Sequence, residues 1–286
     1  MTINIRTNLP SLAAQRSVDQ SSERLKTSYA RLASGLRINR ASDDAAGLAI
    51  AEGLKADSAI ATVAIRNAND GISVISIADQ AMGQIGATLN RLAELSQQSA
   101  NGVFNGVQRS ALQNEFSALS SEIERIATTT QFNGLNLLSG GQSLMFQIGF
   151  DGSSLSRITY DNVDTTLQAI GLAAAGQSAA TYSISGATVS EAQSASRLAL
   201  DAIGQALVSL NNNRGRIGAV ESRLQTTINN LQVARENFTA AESRIRDVDV
   251  ATEAAELTRL SILQQAGAAI LAQANQQPKL ALQLLQ

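Results

Sequence analysis

Residues 199–248 read ALDAIGQALVSLNNNRGRIGAVESRLQTTINNLQVARENFTAAESRIRDV, and the fold class turns on this stretch. Ala199, Ile203, Ala206, Leu210, Asn213, Ile217, Val220, Leu224, Thr227, Leu231, Ala234, Phe238, Ala241, Ile245 and Val248 follow one another at alternating steps of four and three. Only Asn213 and Thr227 interrupt the seam with polar side chains. A strict seven-residue repeat keeps one stripe facing its partners only if the helices supercoil left-handedly. At about 1.5 Å per residue, residues 191–247 predict a rod of roughly 85 Å, which suits a bundle better than a compact domain. Asn213 reads as a register device.

The same spacing recurs upstream. Ala61, Ala64, Ala68, Gly71, Ile75, Ala78, Met82, Ile85, Leu89 and Leu92 continue without a slip. Small residues up to Ala78 allow close backbone approach, and larger ones from Met82 onward fill a wider gap. Leu112, Phe116, Leu119, Ile123 and Ile126 mark a further helix. Val18, Ser22, Leu25, Tyr29, Leu32 and Leu36 mark the first, where Pro10 suits the opening turn. With two prolines in 286 residues, long uninterrupted helices are allowed. Aromatics are only 3% of the chain, so the core must be built from Ala, Ile, Leu and Val over extended contacts.

Composition also excludes chemistry. There is no cysteine and no histidine, which removes disulfides, thiolate metal sites, Cys nucleophiles and His-dependent triads. A net charge of −2 favours neither nucleic acid nor an acidic membrane. No apolar run approaches the roughly 18–20 residues of a membrane span, and the N-terminus lacks the apolar centre of a cleaved signal. Residues 1–40 hold seven Lys/Arg against two acids, as a transit peptide would. The regular seam favours a helix with a basic solvated face instead.

Turn chemistry sets the breaks. NGVFNG at 101–106 separates two helices, and Asn133-Gly134 closes the third. LMFQIGF at 144–150, DGSS at 151–154 and SRITY after it predict a small hairpin. A short helix is expected near 164–170, then a weakly structured Ala/Ser/Gly-rich segment at 173–190. Ser190 with Gln193 predicts a capping box for the long helix.

Two further features remain. LASGLRINRASDDAAGLAIA at 32–51 interrupts helix with Ser34-Gly35, arginines and Asp43-Asp44. Adjacent acids point about 100° apart on a helix and do not chelate together, so Ser42 reads as an N-cap with acids favouring the first-turn dipole. Arg66–Gly71 lacks the spacing of a calcium loop, and Asn237-Phe-Thr puts its Phe in the seam. No metal site, cofactor site or active site emerges. From about 250, Val250, Ala254, Leu257, Leu260, Ile262, Leu263, Ile270 and Leu271 spread around most of a terminal helix. Such a helix must be buried on all sides, and the first helix alone cannot surround it. The pattern points to assembly.

The stretch at 32–51, RNANDGISVISIADQAM at 66–82 and TQFNGLNLLSG at 130–140 closely resemble the N-terminal signature of bacterial flagellins. SRIRDVDVATEAAELTRLSILQQAGAAILAQANQQPKLALQLL at 243–285 is similar to their C-terminal signature. The resemblance implies a non-enzymatic structural subunit, exported unfolded through the flagellar type III apparatus and polymerised into the extracellular filament. A hook–filament junction protein is the alternative. The expected architecture is mainly α: a long antiparallel coiled-coil bundle with a small β-hairpin region, and terminal helices pairing as a separate inner domain. The expected segments are 1–42 and 247–286 for the inner domain, and 43–140, 141–190 and 191–246 for the bundle.

By the same resemblance, Val18, Leu25, Leu32, Leu257, Leu260, Leu263 and Ile270 belong to assembly helices. Residues 34–46, with Gly35, Arg37, Asn39, Asp43 and Asp44, resemble the spoke between inner tube and outer bundle, with a return link near Arg246–Asp249. NRLAEL at 90–95 resembles the stretch contacted by the animal Toll-like receptor, which implies contacts at Arg91, Leu95 and Glu115. Asn90 and Ala93 depart from the commonest receptor-active pattern. Other implied partners are further copies of the chain, an export chaperone on the C-terminal helix, the filament cap and the hook-junction proteins. Nucleic acid and membrane insertion are not expected, and neither is any cofactor.

Overall fold

A computed structural model describes residues 7–283 apart from 142 and 162, with side chains as far as 277. The ends of the expected segments 1–42 and 247–286 therefore lie outside the described residues. The chain forms α1 (Leu9–Ser34), α2 (Ala45–Ala100), α3 (Gly106–Thr129), β1 (Gln131–Phe132), β2 (Leu135–Asn136), β3 (Leu144–Gln147), β4 (Arg157–Tyr160), α4 (Val189–Arg246) and α5 (Val250–Gln283). It divides into two compact units, residues 1–58 with 236–286, and residues 59–235.

In the 59–235 unit every α2 seam residue from Ala61 to Leu92 is buried. From Ile75 through Ala78, Met82, Ile85 and Leu89 to Leu92 the exposure is 0%, as the heptad spacing requires, and Val74 beside the seam is buried as well. Across from it lie Ala199, Ile203, Ala206, Leu210, Ile217, Leu224 and Leu231 of α4, all buried. Gly71 faces Leu224 and Gly86 faces Leu210, each within 3.3 Å of where a Cβ would stand. Numbers rising on α2 as they fall on α4 make the pair antiparallel. A two-pronged ion pair, Arg214 Nε to Asp79 Oδ1 at 2.8 Å and Nη2 to Oδ2 at 3.2 Å, holds the same register. Phe116, Ile123 and Ala127 bring α3 into the same core.

The non-helical part of this unit departs in places from what turn chemistry suggests. Asn133 and Gly134 both have positive φ, 50° and 78°. They form the two-residue turn of an extra hairpin, β1–β2, while α3 already ends at Thr129. The expected hairpin is present as antiparallel β3–β4, pairing Leu144 with Tyr160 and Gln147 with Arg157. The helix expected near 164–170 is absent, and turns take its place. Its backbone is claimed by others: Thr165 N–H donates to Leu138 O (2.8 Å), and Leu167 N–H to Glu124 Oε2 (2.9 Å). Likewise Ile184 N–H donates to Gln113 Oε1 at 2.7 Å. Side chains of α3 thus satisfy buried backbone that would otherwise need a helix or strand.

Helix starts are capped more locally than expected. Thr188 and Glu191, not Ser190 and Gln193, make the reciprocal cap of α4, through Thr188 N–H to Glu191 Oε2 (3.1 Å) and Glu191 N–H to Thr188 Oγ1 (3.2 Å). Asn105 and Gln108 form a second capping box at α3. Arg109, 2% exposed, donates from its guanidinium to the carbonyls of Phe104, Asn101 and Val189.

In the other unit α1 and α5 pair antiparallel. Asn8 Nδ2 donates to Ala274 O (2.8 Å), Gln264 Nε2 to Ser22 Oγ (3.0 Å), and Arg31 approaches Glu253 at 3.9 Å. Pro10 sits in the first turn of α1, whose cap is Asn8 accepting from Ser11 N–H. The α1 seam runs through Ala14, Val18, Leu25, Ser28 and Leu32. Tyr29, expected in the seam, is 55% exposed, whereas Ser28 is 2% exposed. Near Val18 the helices meet closely: a Cβ on Gly267 would stand 2.8 Å from it.

Candidate assembly face and linking turns

The residues singled out in the sequence fall into three places. The first is the α1–α5 pair. Val18, Leu25, Leu32 and Leu257 are half-buried and Leu260 is 2% exposed, so these line the seam between the two helices. Leu263 (44% exposed) and Ile270 (61%) do not; they lie on the outward side with Ile262 (61%) and Val250. On α1, Leu9 and Leu12 are also exposed. The pair therefore satisfies one stripe of each helix and leaves large aliphatic side chains in water. Ser28 Oγ and the Nε atoms of Arg31 and Arg246 are buried with no hydrogen-bond partner among the described residues.

The second place is the pair of turns between helices. Gly35 ends α1 in the left-handed conformation (φ 72°), where a side chain would be strained. The chain then runs beside residues 246–248 as a short antiparallel bridge. Arg37 N–H donates to Arg246 O (2.6 Å), Val248 N–H to Gly35 O (3.0 Å), and the Arg37 guanidinium to Ile245 O (2.6 Å). Ile38 is 1% exposed beneath this bridge. Arg246 also reaches Glu52 at 2.7 Å, fastening the end of α4 to α2.

The two aspartates have separate tasks. Asp43 Oδ2 accepts from the backbone N–H groups of Asn39 (3.1 Å) and Arg40 (3.0 Å). Those bonds, Arg40's first, hold its carboxyl below the usual carboxylate range. Asp44 is the N-cap of α2, accepting from Gly47 N–H at 2.8 Å, so the cap expected at Ser42 lies two residues later. On the return link, Asp249 caps α5 through Thr252 and Ala251, and the Thr252 hydroxyl leads the bonds that lower its carboxyl. Carboxylates in this segment fix turns. Among the described residues no group of three or more His, Cys, Asp and Glu could hold a metal, and no helix is long and apolar enough to cross a membrane.

The third place is on α2 and α3. Arg91 bonds Glu115 through Nη2 (2.8 Å) and Glu94 through Nη1 (2.9 Å), and Glu94 first, then Glu115, raises the guanidinium further. Both Arg91 and Glu115 are about half exposed. Leu95 is 1% exposed in the core, which corrects its expected role as a surface contact. Its place follows from the α2 repeat: after Leu92 the buried stripe continues through Leu95, Ser96 and Ser99.

Comparison with known proteins adds to this geometry. Family models described as the bacterial flagellin N-terminal and C-terminal helical regions match residues 5–143 and 200–285. A flagellin of Halalkalibacterium halodurans is 43% identical over 279 residues, spanning 97% of this chain and 98% of that one. A flagellin of Bacillus subtilis is 39% identical over 308 residues, 99% and 100% of the two chains. Among solved structures, a proposed flagellar hook-associated protein of Vibrio parahaemolyticus is 15% identical with a TM-score of 0.58, covering 72% of this chain and 100% of that one. That last likeness concerns the fold alone.

Proposed function

The chain belongs to the bacterial flagellins, and from that premise we propose that it polymerises by burying the outward sides of α1 and α5 against further copies of itself. It is a structural subunit of the flagellar filament, a component of the extracellular flagellum. One observation carries the assembly mechanism: Ile262 and Ile270 of α5 are each 61% exposed although α5 already has its intramolecular partner. Two paired helices cover one stripe of each other, and the remaining apolar side chains are satisfied only by neighbouring molecules.

Residues 34–46 and 246–249 act in this reading as the spoke, with Gly35, Arg37, Asn39, Asp43 and Asp44 setting its path. The terminal segments 1–42 and 247–286 form the inner assembly domain, and 43–246 the bundle. An export chaperone covers the C-terminal helix before the chain enters the export apparatus. The filament cap and hook-junction proteins meet it at the two filament ends. A Toll-like receptor docking on the bundle would meet Arg91 and Glu115 and would not touch the Leu95 side chain.

The test is seeded growth. The intact chain and a copy truncated after Ala240 are added to short sheared flagellar fragments, and elongation is followed by electron microscopy. Long growth by the intact chain alone supports the filament role and the part given to α5. An intact chain that caps seeds and stops indicates a hook–filament junction protein. One that never engages seeds on which a known subunit grows overturns the assembly reading.

A further inference from the structure

The chain has three methionines and no cysteine, tryptophan or histidine, so its capacity for sulfur oxidation rests on thioethers alone. Met1 lies outside the described residues. The other two occupy opposite environments. Met82 is 0% exposed in the α2 seam, in the core shared with Ile85, Leu210 and their neighbours. Met145 is 63% exposed.

Strand alternation fixes that exposure. On β3, Leu144 and Phe146 pack against the bundle core, and Phe146 lies 3.2 Å from the position a Cβ would take on Gly71. The residue between them must point to solvent. The pairing of Met145 with exposed Thr159, in a ladder anchored by Leu144–Tyr160 and Phe146–Ile158, leaves it no alternative register. Tyr160 and Ile158, 1% and 3% exposed, hold the hairpin to the core.

We propose that Met145 is a site of peroxide oxidation on the folded chain, at which sulfoxidation is tolerated because the modified side chain stays in water. Hydrogen peroxide transfers one oxygen to the thioether sulfur. The O–O bond breaks, an S–O bond forms and water leaves; sulfur is oxidised by two electrons and the peroxide reduced by two. The product is polar and chiral, which would disrupt packing at Met82 but meets only solvent at Met145. Met82 is reached only when the seam opens, so its oxidation is limited by the opening equilibrium of the bundle.

The full chain is treated with hydrogen peroxide, and sulfoxide is quantified at each methionine by peptide mass spectrometry, folded and in urea. Oxidation of folded Met145 close to its rate in urea, with Met82 at least about tenfold slower than in urea, is the expected result. The melting temperature of chain oxidised at Met145 alone should match that of untreated chain, and Met145→Leu should leave Met82 as slow in the folded chain as before. Equal rates at the two sites, protection of Met145 in the folded chain, or a fall in melting temperature on oxidation at Met145 alone would each overturn the proposal. None of these readouts involves polymerisation, so they stand or fall separately from the filament role.

Discussion

Replacing Ile262 and Ile270 of α5 together with serine separates what the monomer needs from what the polymer needs. Both side chains are 61% exposed in the single chain, so their removal costs the monomer little, within about 0.5 kcal/mol. Fully burying an isoleucine is worth about 1.5–3 kcal/mol, and covering the share still exposed adds about 1–2 kcal/mol per residue. Two residues then contribute roughly 2–4 kcal/mol per subunit added. At about 1.4 kcal/mol per factor of ten, the critical concentration for growth rises roughly 30- to 1000-fold. It is measured by sedimenting filaments grown from seeds at a series of protein concentrations, beside thermal melts of the unpolymerised chain. A critical concentration unchanged within about twofold would refute the claim that copies cover this face. A lowered melting temperature would show instead that the two side chains pack within the chain. Leu260→Ala is the contrast: at 2% exposure it weakens the α1–α5 pair itself.

Four other outcomes are expected. Asp44→Ala removes the α2 cap and costs about 1 kcal/mol. Gly47→Ala, which helix propensity alone would favour, should also speed amide exchange at residues 45–48, because its Cβ would stand 2.9 Å from both Asp44 Cγ and Ile38 Cδ1; slower exchange would contradict this. Burial pushes the Tyr160 phenol up to about 12. The native state therefore retains a proton that the unfolded chain loses near pH 10, so this contribution is intact below that pH and is lost as pH rises toward 12. With about 1.4 kcal/mol per pKa unit it amounts to at most about 3 kcal/mol, and in urea titrations at rising pH the stability of wild type relative to Tyr160→Phe should fall by up to that amount across the window. Arg109→Met leaves three carbonyls without their guanidinium donor and should cost about 2–5 kcal/mol in urea unfolding; a loss below about 1 kcal/mol would mean that water replaces it.

What the sequence by itself determined is the bundle. A repeat of seven needs no knowledge of the partner, since large apolar side chains at that spacing must share one stripe whatever covers them. Every α2 seam residue from Ala61 to Leu92 and every α4 seam residue from Ala199 to Ile245 is accordingly buried or half-buried, whereas Val248 lies past the end of α4 in the link. The β3–β4 hairpin was legible for a similar reason, because alternation and a Gly-containing turn are local signals.

Tertiary structure decided what depends on a specific neighbour. On α1 the adjacent Ser28 is buried and Tyr29 exposed, and hydropathy does not register a buried serine. Residues 164–170 form turns because Glu124 and Leu138 take up their backbone bonds from far along the chain. Leu95 entered the core, while Leu263 and Ile270 stayed outside the α1–α5 contact, although all are apolar residues in long helices. Which stripe a helix buries within its own chain, and which it keeps for another molecule, depends on where its partner lies. A list of side chains holds the stripe but not the partner's position.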